Sequence, residues 1–83
     1  MKYPVAIWHT DGIYTAEVPD LPGVVTEAES IAVLETCVKE AAVGWIKAEL
    51  ASGRSIPAPR LAEHCASNLD DKNCRWMLID INV

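Results

Sequence analysis

The sequence is poor in the residues and spacings that mark a catalytic or metal-binding protein. Its three cysteines, Cys37, Cys65 and Cys74, include no C-x-x-C pair, so they predict neither a disulfide framework nor a zinc site. His64 with Cys65 and Cys74 offers three conceivable ligands, but idle reduced thiols explain the pattern better. No Gly-rich phosphate loop or convincing Ser, His and Asp arrangement occurs. We therefore expect no enzyme activity, no catalytic residue, no metal and no cofactor.

Positive charge and long apolar runs are also scarce. Seven Lys and Arg against twelve Asp and Glu give a formal net charge of −5. Neutralising phosphates needs a clustered basic face, so we expect no direct DNA binding by this chain, and an acidic domain suits a basic protein partner better. No apolar run approaches the ~20 residues that span a bilayer, and the first residues lack a signal-peptide cleavage pattern. We expect a cytoplasmic protein without membrane contact.

A β-hairpin is the clearest local structure in the single domain expected over residues 1–83. Asp11 and Gly12 separate two alternating segments, and this pair favours a type I′ turn because both central residues need positive φ. Opposed residues of a hairpin share a face. The face expected to form the core carries Tyr3, Val5, Ile7, Tyr14, Ala16 and Val18. The other face carries Ala6, Trp8, Ile13, Thr15 and Glu17.

The stretch VPDLPG predicts how the chain leaves this hairpin. Pro19 lacks the N–H that a central strand requires, so it should end the second strand. Pro22 and Gly23 fit the inner positions of a type II turn, with Leu21 tucked beneath it as an anchor. We expect Asp20 to bond its own backbone two residues further on.

A third strand, about residues 24 to 28, then gives way to a helix of about 22 residues. Ser30 is the expected N-cap, Gly53 the stop, and Pro57 and Pro59 prevent the helix from resuming. The apolar residues at three- and four-residue spacing are Ile31, Leu34, Cys37, Val38, Ala41, Ala42, Trp45, Ile46 and Leu50. The helix should therefore cover one face of the sheet.

The remaining sequence predicts a weak helix over 58–70 and a last strand over 75–83. The element order is β-β-β-α-(α)-β, an α+β fold. A right-handed crossover through the long helix would place the last strand parallel to the first and beside it. We thus expect a mixed four-stranded sheet of order 3-2-1-4, with the helix packed on one face.

The uncovered sheet face should gather Trp8, Trp76 and Leu78 into an apolar patch with a rim that includes Glu17 and Asp80. Such a patch usually marks a contact surface. The alternative is that residues 58–70 fold over it as a second core layer. Glu17 and Asp80 could also be the paired carboxylates of a degenerate nuclease, but solvated charges at the rim explain them better.

Four segments carry a resemblance to a known family: DGIYTAEVPDLPG at 11–23, the helix opened by Ser30, SGRSIPAP at 52–59 and WMLIDINV at 76–83. Over essentially its whole length the chain resembles the N-terminal domain of HicB-family antitoxins. The resemblance implies a partial ribonuclease-H-like fold without nuclease activity, which binds and masks a small basic HicA-type toxin that cleaves mRNA. It also implies a homodimer or higher homo-oligomer.

The sequence departs from the family pattern at the start of the helix, where VVTEAESIAV keeps the Ser cap but lacks the usual glycine. Relatives often carry a C-terminal DNA-binding module, which is not expected in these 83 residues. The residues we expect to bind the partner are Trp8, Glu17, Asp20, Trp76 and Asp80, with Asp11, Gly12, Pro19, Leu21, Pro22 and Gly23 as structural turn residues. The alternative is a stand-alone domain that self-associates without a toxin.

Overall fold

The computed structural model describes residues 1–61 and 74–82. The elements in these ranges are four strands and one helix. They are β1 (Lys2–Thr10), β2 (Ile13–Glu17), β3 (Val25–Ala28), α1 (Ile31–Ala51) and β4 (Arg75–Asp80).

The hairpin of β1 and β2 has the register counted from its turn. Thr10 pairs with Ile13, and the pairing continues to Ala6 opposite Glu17. Asp11 and Gly12 both have positive φ, 53° and 80°, as the central residues of a type I′ turn do. Because side chains alternate along a strand, this register decides which residues of both strands share a face.

The chain reverses between β2 and β3 over a compact turn. The Val24 N–H donates to the Leu21 carbonyl at 3.0 Å across Pro22 and Gly23, and Gly23 has a φ of 93° that a side chain would oppose. The Val18 and Leu21 backbones are also hydrogen-bonded, at 3.0 Å. Leu21 is fully buried. β3 then pairs antiparallel with β2.

Helix α1 is capped at both ends by the residues that the sequence indicates. The Ser30 hydroxyl accepts a hydrogen bond from the Val33 N–H at 3.2 Å, which satisfies one of the free donors of the first turn. At the other end Gly53 adopts a φ of 77°, and the Arg54 N–H reaches back to the Glu49 carbonyl at 2.9 Å. This is the bonding pattern that closes a helix at a left-handed glycine.

The hydrophobic core lies between α1 and one face of the sheet, which we call the back face. Its sheet residues are those of the expected core face, extended by the last strand and the turn. The buried core consists of Tyr3, Val5, Ile7, Ala16, Val18, Leu21, Val24, Leu34, Val38, Ala42, Ile46, Ile79 and Ile81, with Tyr14 partly buried against it.

The sheet order β3-β2-β1-β4 confirms the prediction, but the predicted direction of the last strand is wrong. β4 is antiparallel to β1, with Ile7 opposite Arg75 and Lys2 opposite Asp80, so the sheet is antiparallel and not mixed. The crossover rule fixes the handedness of a connection between parallel strands and does not require the two strands to be parallel. Here 23 residues separate α1 from β4. β4 starts with Arg75 opposite Ile7, at the end of the sheet where Ala28 pairs with Tyr14 and the chain enters α1.

The weak helix predicted over 58–70 falls mostly outside the described residues. Residues 58–61, which are described, are not helical. The prediction that this segment covers the second sheet face therefore stays a prediction.

Candidate partner-binding face

The register of the sheet gathers a second set of side chains on the side opposite α1, which we call the front face. Ala6 lies opposite Trp76 and Glu17, Trp8 lies opposite Thr15, and Glu17 lies opposite Val25. The face as a whole carries Lys2, Pro4, Ala6, Trp8, Ile13, Thr15, Glu17, Val25, Glu27, Trp76, Leu78 and Asp80. The structure thus brings together four of the five residues expected to bind a partner: Trp8, Glu17, Trp76 and Asp80.

Trp8 and Trp76 are diagonal neighbours on this face. Trp76 is paired with Ala6, two residues before Trp8, and such diagonal positions are about 7–8 Å apart. Both indoles are half-buried, and Ala6 between them is buried. The two rings therefore frame a common apolar surface with a small residue at its floor.

Two aliphatic side chains extend this surface to the edges of the sheet. Leu78 on β4 is 64% exposed and Val25 on β3 is 56% exposed. Both are large apolar residues on edge strands, which have one side free for another chain. The exposed apolar residues of the front face therefore lie on its two edge strands, whereas Pro4 and Ala6 on the central strand β1 are fully buried.

The indole nitrogen of Trp8 is buried and has no hydrogen-bond partner in the part of the chain that the structure describes. A buried donor without an acceptor typically costs about 1–3 kcal/mol, and tryptophan N–H groups usually find a partner. The indole N–H of Trp8 therefore lacks the hydrogen bond that a buried core tryptophan usually has.

The charges at the rim of the front face are mainly acidic. Glu17 and Glu27 lie on β2 and β3, and Asp80 lies on β4 opposite Lys2. The Met1 ammonium group donates to the Asp80 carboxylate at 3.1 Å, and this hydrogen bond is the main cause that lowers the pKa of Asp80 below its ordinary 3.8. Asp80 is therefore a carboxylate at neutral pH.

Asp20, the fifth expected residue, lies apart from the front face and is buried. Its carboxylate accepts a hydrogen bond from the Arg60 backbone N–H at 2.9 Å and forms an ion pair with the guanidinium of the same residue. The Asp20 side chain is 2% exposed, whereas that of Arg60 is 46% exposed. The negative charge is thus enclosed within the subunit, and the positive partner faces solvent.

A second contact ties the same two segments together. The Tyr3 hydroxyl donates to the Pro57 carbonyl at 2.6 Å, which fixes the segment after the helix against the start of β1. Burial raises the pKa of the Tyr3 hydroxyl above its ordinary 10.0, and the Asp20 carboxylate adds to this effect. The VPDLPG and IPAP motifs are therefore partners in space, although about 40 residues separate them.

A cleft of about 560 Å³ lies beside the start of α1. Within it the rings of His9 and Tyr14 are stacked, with centroids 4.0 Å apart and planes 5° apart. Its lining residues are Ile7, His9, Tyr14, Ile31, Arg75, Trp76 and Met77. Sequence reasoning did not find this cleft, because it depends on β4 running antiparallel and so bringing Arg75 next to Ile7.

The described ranges, residues 1–61 and 74–82, show neither a metal site nor a membrane-spanning helix. These ranges contain no group of three or more His, Cys, Asp or Glu side chains placed to hold a metal ion. His64 and Cys65 lie outside them. In the same ranges, α1 lacks the long apolar stretch that a bilayer-crossing helix needs.

A match to a protein-family model identifies the family of this chain. The model of the HicB-like antitoxin of bacterial toxin–antitoxin systems matches residues 3–83. The chain belongs to this family. The HicB-like family assigns it an antitoxin role in a bacterial toxin–antitoxin system. A search of curated proteins gave no significant match.

Solved structures of HicB proteins share the fold. The N-terminal domain of the Burkholderia pseudomallei antitoxin HicB is 26% identical, with a TM-score of 0.83 and full coverage of both chains. The longer B. pseudomallei HicB is also 26% identical, with a TM-score of 0.84, and this chain spans 64% of its length. A chain of the HicA3 and HicB3 toxin–antitoxin complex is 22% identical, with a TM-score of 0.77 and full coverage of both chains, which shows the fold alone.

Proposed function

We propose that this HicB-like domain neutralises a small, basic, mRNA-cleaving toxin of the HicA type by covering it with the front face. The observation that carries the proposal is the apolar surface of Trp8, Trp76 and Leu78 on the side of the sheet that α1 leaves uncovered. Large aromatic and aliphatic side chains at the centre of a polar rim are typical of protein interfaces.

The charge of the chain supports a basic partner. The net charge is −5, and Glu17, Glu27 and Asp80 contribute acidic groups to the rim of the front face. Opposite charges at a rim mainly raise the association rate and reject wrong partners, whereas the buried aromatic centre supplies most of the affinity. Trp8 and Trp76 are therefore the proposed anchors, and Glu17 and Asp80 the proposed steering groups.

Asp20 has a different part in this proposal from the direct contact expected from the sequence. Its buried carboxylate holds Arg60, so its effect on a partner passes through the placement of the 54–61 segment. Asp20 is thus a positioning residue. The turn residues around it, from Pro19 to Gly23, form the surface against which the 54–61 segment packs.

Several broader features belong to the same proposal. We infer a cytoplasmic protein, since its target toxin would act on mRNA, and a non-enzymatic role by stoichiometric masking. We also infer self-association into a homodimer or higher oligomer, no direct DNA contact by these residues, and a partial ribonuclease-H-like topology. The acidic charge and the family membership support these inferences.

Co-expression with the product of the neighbouring gene tests the masking proposal. The wild-type chain should relieve the toxicity of a small basic neighbour and co-purify with it. Leu78→Asp places a charge at the centre of the proposed contact, on a side chain that is already mostly exposed, so the fold should survive and the rescue should fail.

Val33→Asp is the matched control, because Val33 is 55% exposed on α1, away from the front face. Its rescue should equal that of the wild type. Trp8→Asp then separates an interface from a second core layer: a folded protein that no longer binds indicates an interface, and an unfolded one indicates core. Full rescue by Leu78→Asp together with folded, binding Trp8→Asp would show that the front face is not the contact.

A further inference from the structure

Helix α1 has a glycine in its middle that its own fold does not explain. Gly44 is the fourteenth of 21 helical residues and is exposed. Glycine is the least favourable helix residue after proline. Its φ is not positive, and a Cβ added there would meet no atom within 4 Å. Nothing in the described part of the subunit therefore requires a glycine at this position.

The surroundings of Gly44 form a shallow groove on the outer side of the helix. The groove is lined by Lys39, Glu40, Val43, Gly44 and Lys47. Its exposed residues Lys39, Glu40, Gly44 and Lys47 face away from the buried residues Leu34, Val38, Ala42 and Ile46. Val43 is partly buried, packs against the core with part of its side chain and forms the margin of the groove. One face of the helix thus packs on the core, and the other has a shallow groove at Gly44, where there is no side chain.

We propose that this groove is where a second copy of the chain packs, helix against helix and antiparallel, around a two-fold axis that passes between Val43 and Gly44. Such an axis places each residue of one helix opposite the residue of the other helix that lies equally far from the axis in the reverse direction along the sequence. Val43 of one copy then faces Gly44 of the other, and its side chain fills the space that glycine leaves. A missing Cβ allows closer approach than the usual 8–10 Å between helix axes.

Charge complementarity supports the same two-fold arrangement. Glu40 and Lys47 lie seven residues apart and equally far from the centre, so Glu40 of each copy faces Lys47 of the other. Both are exposed, and neither forms an ion pair in the part of the chain that the structure describes. An isologous interface needs such self-complementary residues. The next pair outward sets Leu50, 51% exposed, opposite Cys37.

This inference names the surface for the proposed self-association and leaves the front face free for a toxin. The two surfaces lie on opposite sides of the subunit, so two copies joined through α1 would present two outward-facing sheets. Toxin masking does not depend on this pairing, and each can fail without the other.

Charge reversal tests the pairing. Sedimentation velocity of the purified chain from about 1 µM to about 1 mM should show a monomer–dimer equilibrium in the wild type. Glu40→Lys and Lys47→Glu should each weaken dimerisation by at least about 10-fold, as roughly expected for like charges placed face to face twice. The double variant Glu40→Lys with Lys47→Glu should restore it. Lys and Glu have similar helix propensity, so the monomer fold should persist.

Glu27→Lys is the control, because it makes the same charge change on the exposed part of β3 and should leave dimerisation unchanged. Gly44→Leu should abolish the dimer by filling the space for Val43, while the monomer melts at an equal or higher temperature. A dimer that survives all of these changes would place self-association on another surface. A wild-type monomer at every concentration would overturn both this pairing and the proposed self-association, whereas toxin rescue in the co-expression assay would still decide masking.

Discussion

The two faces of the four-stranded sheet differ in how deeply their apolar side chains are buried. On the back face, Val5, Ile79 and their neighbours are almost completely buried beneath α1. On the front face, Leu78 and Val25 are more than half exposed, and Trp8 and Trp76 are half-buried. Both faces are rich in large apolar residues, so hydrophobicity alone does not distinguish them.

The difference shows how a small domain divides its apolar residues between folding and binding. An 83-residue chain hides only about 60% of its unfolded surface, and α1 is the one helix in the described residues that covers the sheet. The exposed apolar residues of the second face, Leu78 and Val25, are then available to a partner. The back face thus accounts for stability, and the proposed function assigns toxin binding to the front face.

Adjacent residues of β4 provide the largest test of this division. Ile79 is 2% exposed on the back face and Leu78 is mostly exposed on the front face. Ile79→Ala should lower the free energy of unfolding by about 2–4 kcal/mol, because it removes buried methyl groups and leaves a cavity. Leu78→Ala in the same strand should change it by less than about 0.5 kcal/mol. Urea denaturation measures both, and equal losses would abolish the distinction between the faces.

The ion pair between Asp20 and Arg60 provides the next test, since it fixes the segment after α1. Asp20→Asn should lower the free energy of unfolding by about 1–2 kcal/mol, less than for a fully buried pair because Arg60 is partly solvated. Glu27→Gln, which removes an exposed carboxylate from the front face, is the control and should stay within about 0.5 kcal/mol. A double-mutant cycle with Arg60→Met should show that the two effects are coupled. Additive effects would mean that the pair contributes nothing to stability.

Tyr3 links the back face to the same segment through a single hydrogen bond. Tyr3→Phe should lower the free energy of unfolding by about 1 kcal/mol at neutral pH, because the Pro57 carbonyl loses its donor. Tyr14→Phe is the matched control for loss of a hydroxyl and should have a smaller effect.

The pH dependence of stability gives Tyr3 a second signature. Its pKa in the folded state is raised above 10.0, so the neutral phenol is favoured by folding. This contribution is fully present below about pH 10 and is lost as the pH rises through the raised pKa. Thermal melts above pH 10 should therefore fall more steeply for the wild type than for Tyr3→Phe. If the melting temperatures of the two proteins fell in parallel with pH, burial would not raise the pKa of Tyr3.

Asp80 should give the smallest effect, because its contact with the Met1 ammonium group is exposed to solvent. Its lowered pKa means that the contact stabilises the fold above about pH 4 and is lost as the pH falls through the lower, folded-state value. The melting temperatures of wild type and Asp80→Asn should differ slightly at pH 7 and converge in acid. A difference that persists in acid would have a cause other than this contact.

Much of the fold follows from local sequence. The hairpin register, the Ser30 cap and the end of α1 near Gly53 each depend on a few neighbouring residues, and all three are observed. The back face follows from the register because alternation along a strand leaves no freedom once the turn is fixed. The sheet order was predicted as well.

Features that depend on residues far apart in the sequence were not predictable in the same way. The direction of β4 was predicted wrongly, because sequence alone does not show where the 23 residues after α1 take the chain. The contact between the Asp20 carboxylate and Arg60, 40 residues away, was not predictable from local sequence. The stack of His9 on Tyr14 beside Arg75 depends on the same strand direction.

Fluorine NMR of the chain labelled with 5-fluorotryptophan tests the account most directly, since the three tryptophans sample both sides of the sheet. Trp8 and Trp76 lie on the front face, and Trp45 packs against the core from α1. Adding one equivalent of unlabelled toxin should shift the resonances of Trp8 and Trp76, assigned with Trp→Phe variants, and leave that of Trp45 in place. A shift of Trp45 with Trp8 and Trp76 unchanged would contradict binding through the front face.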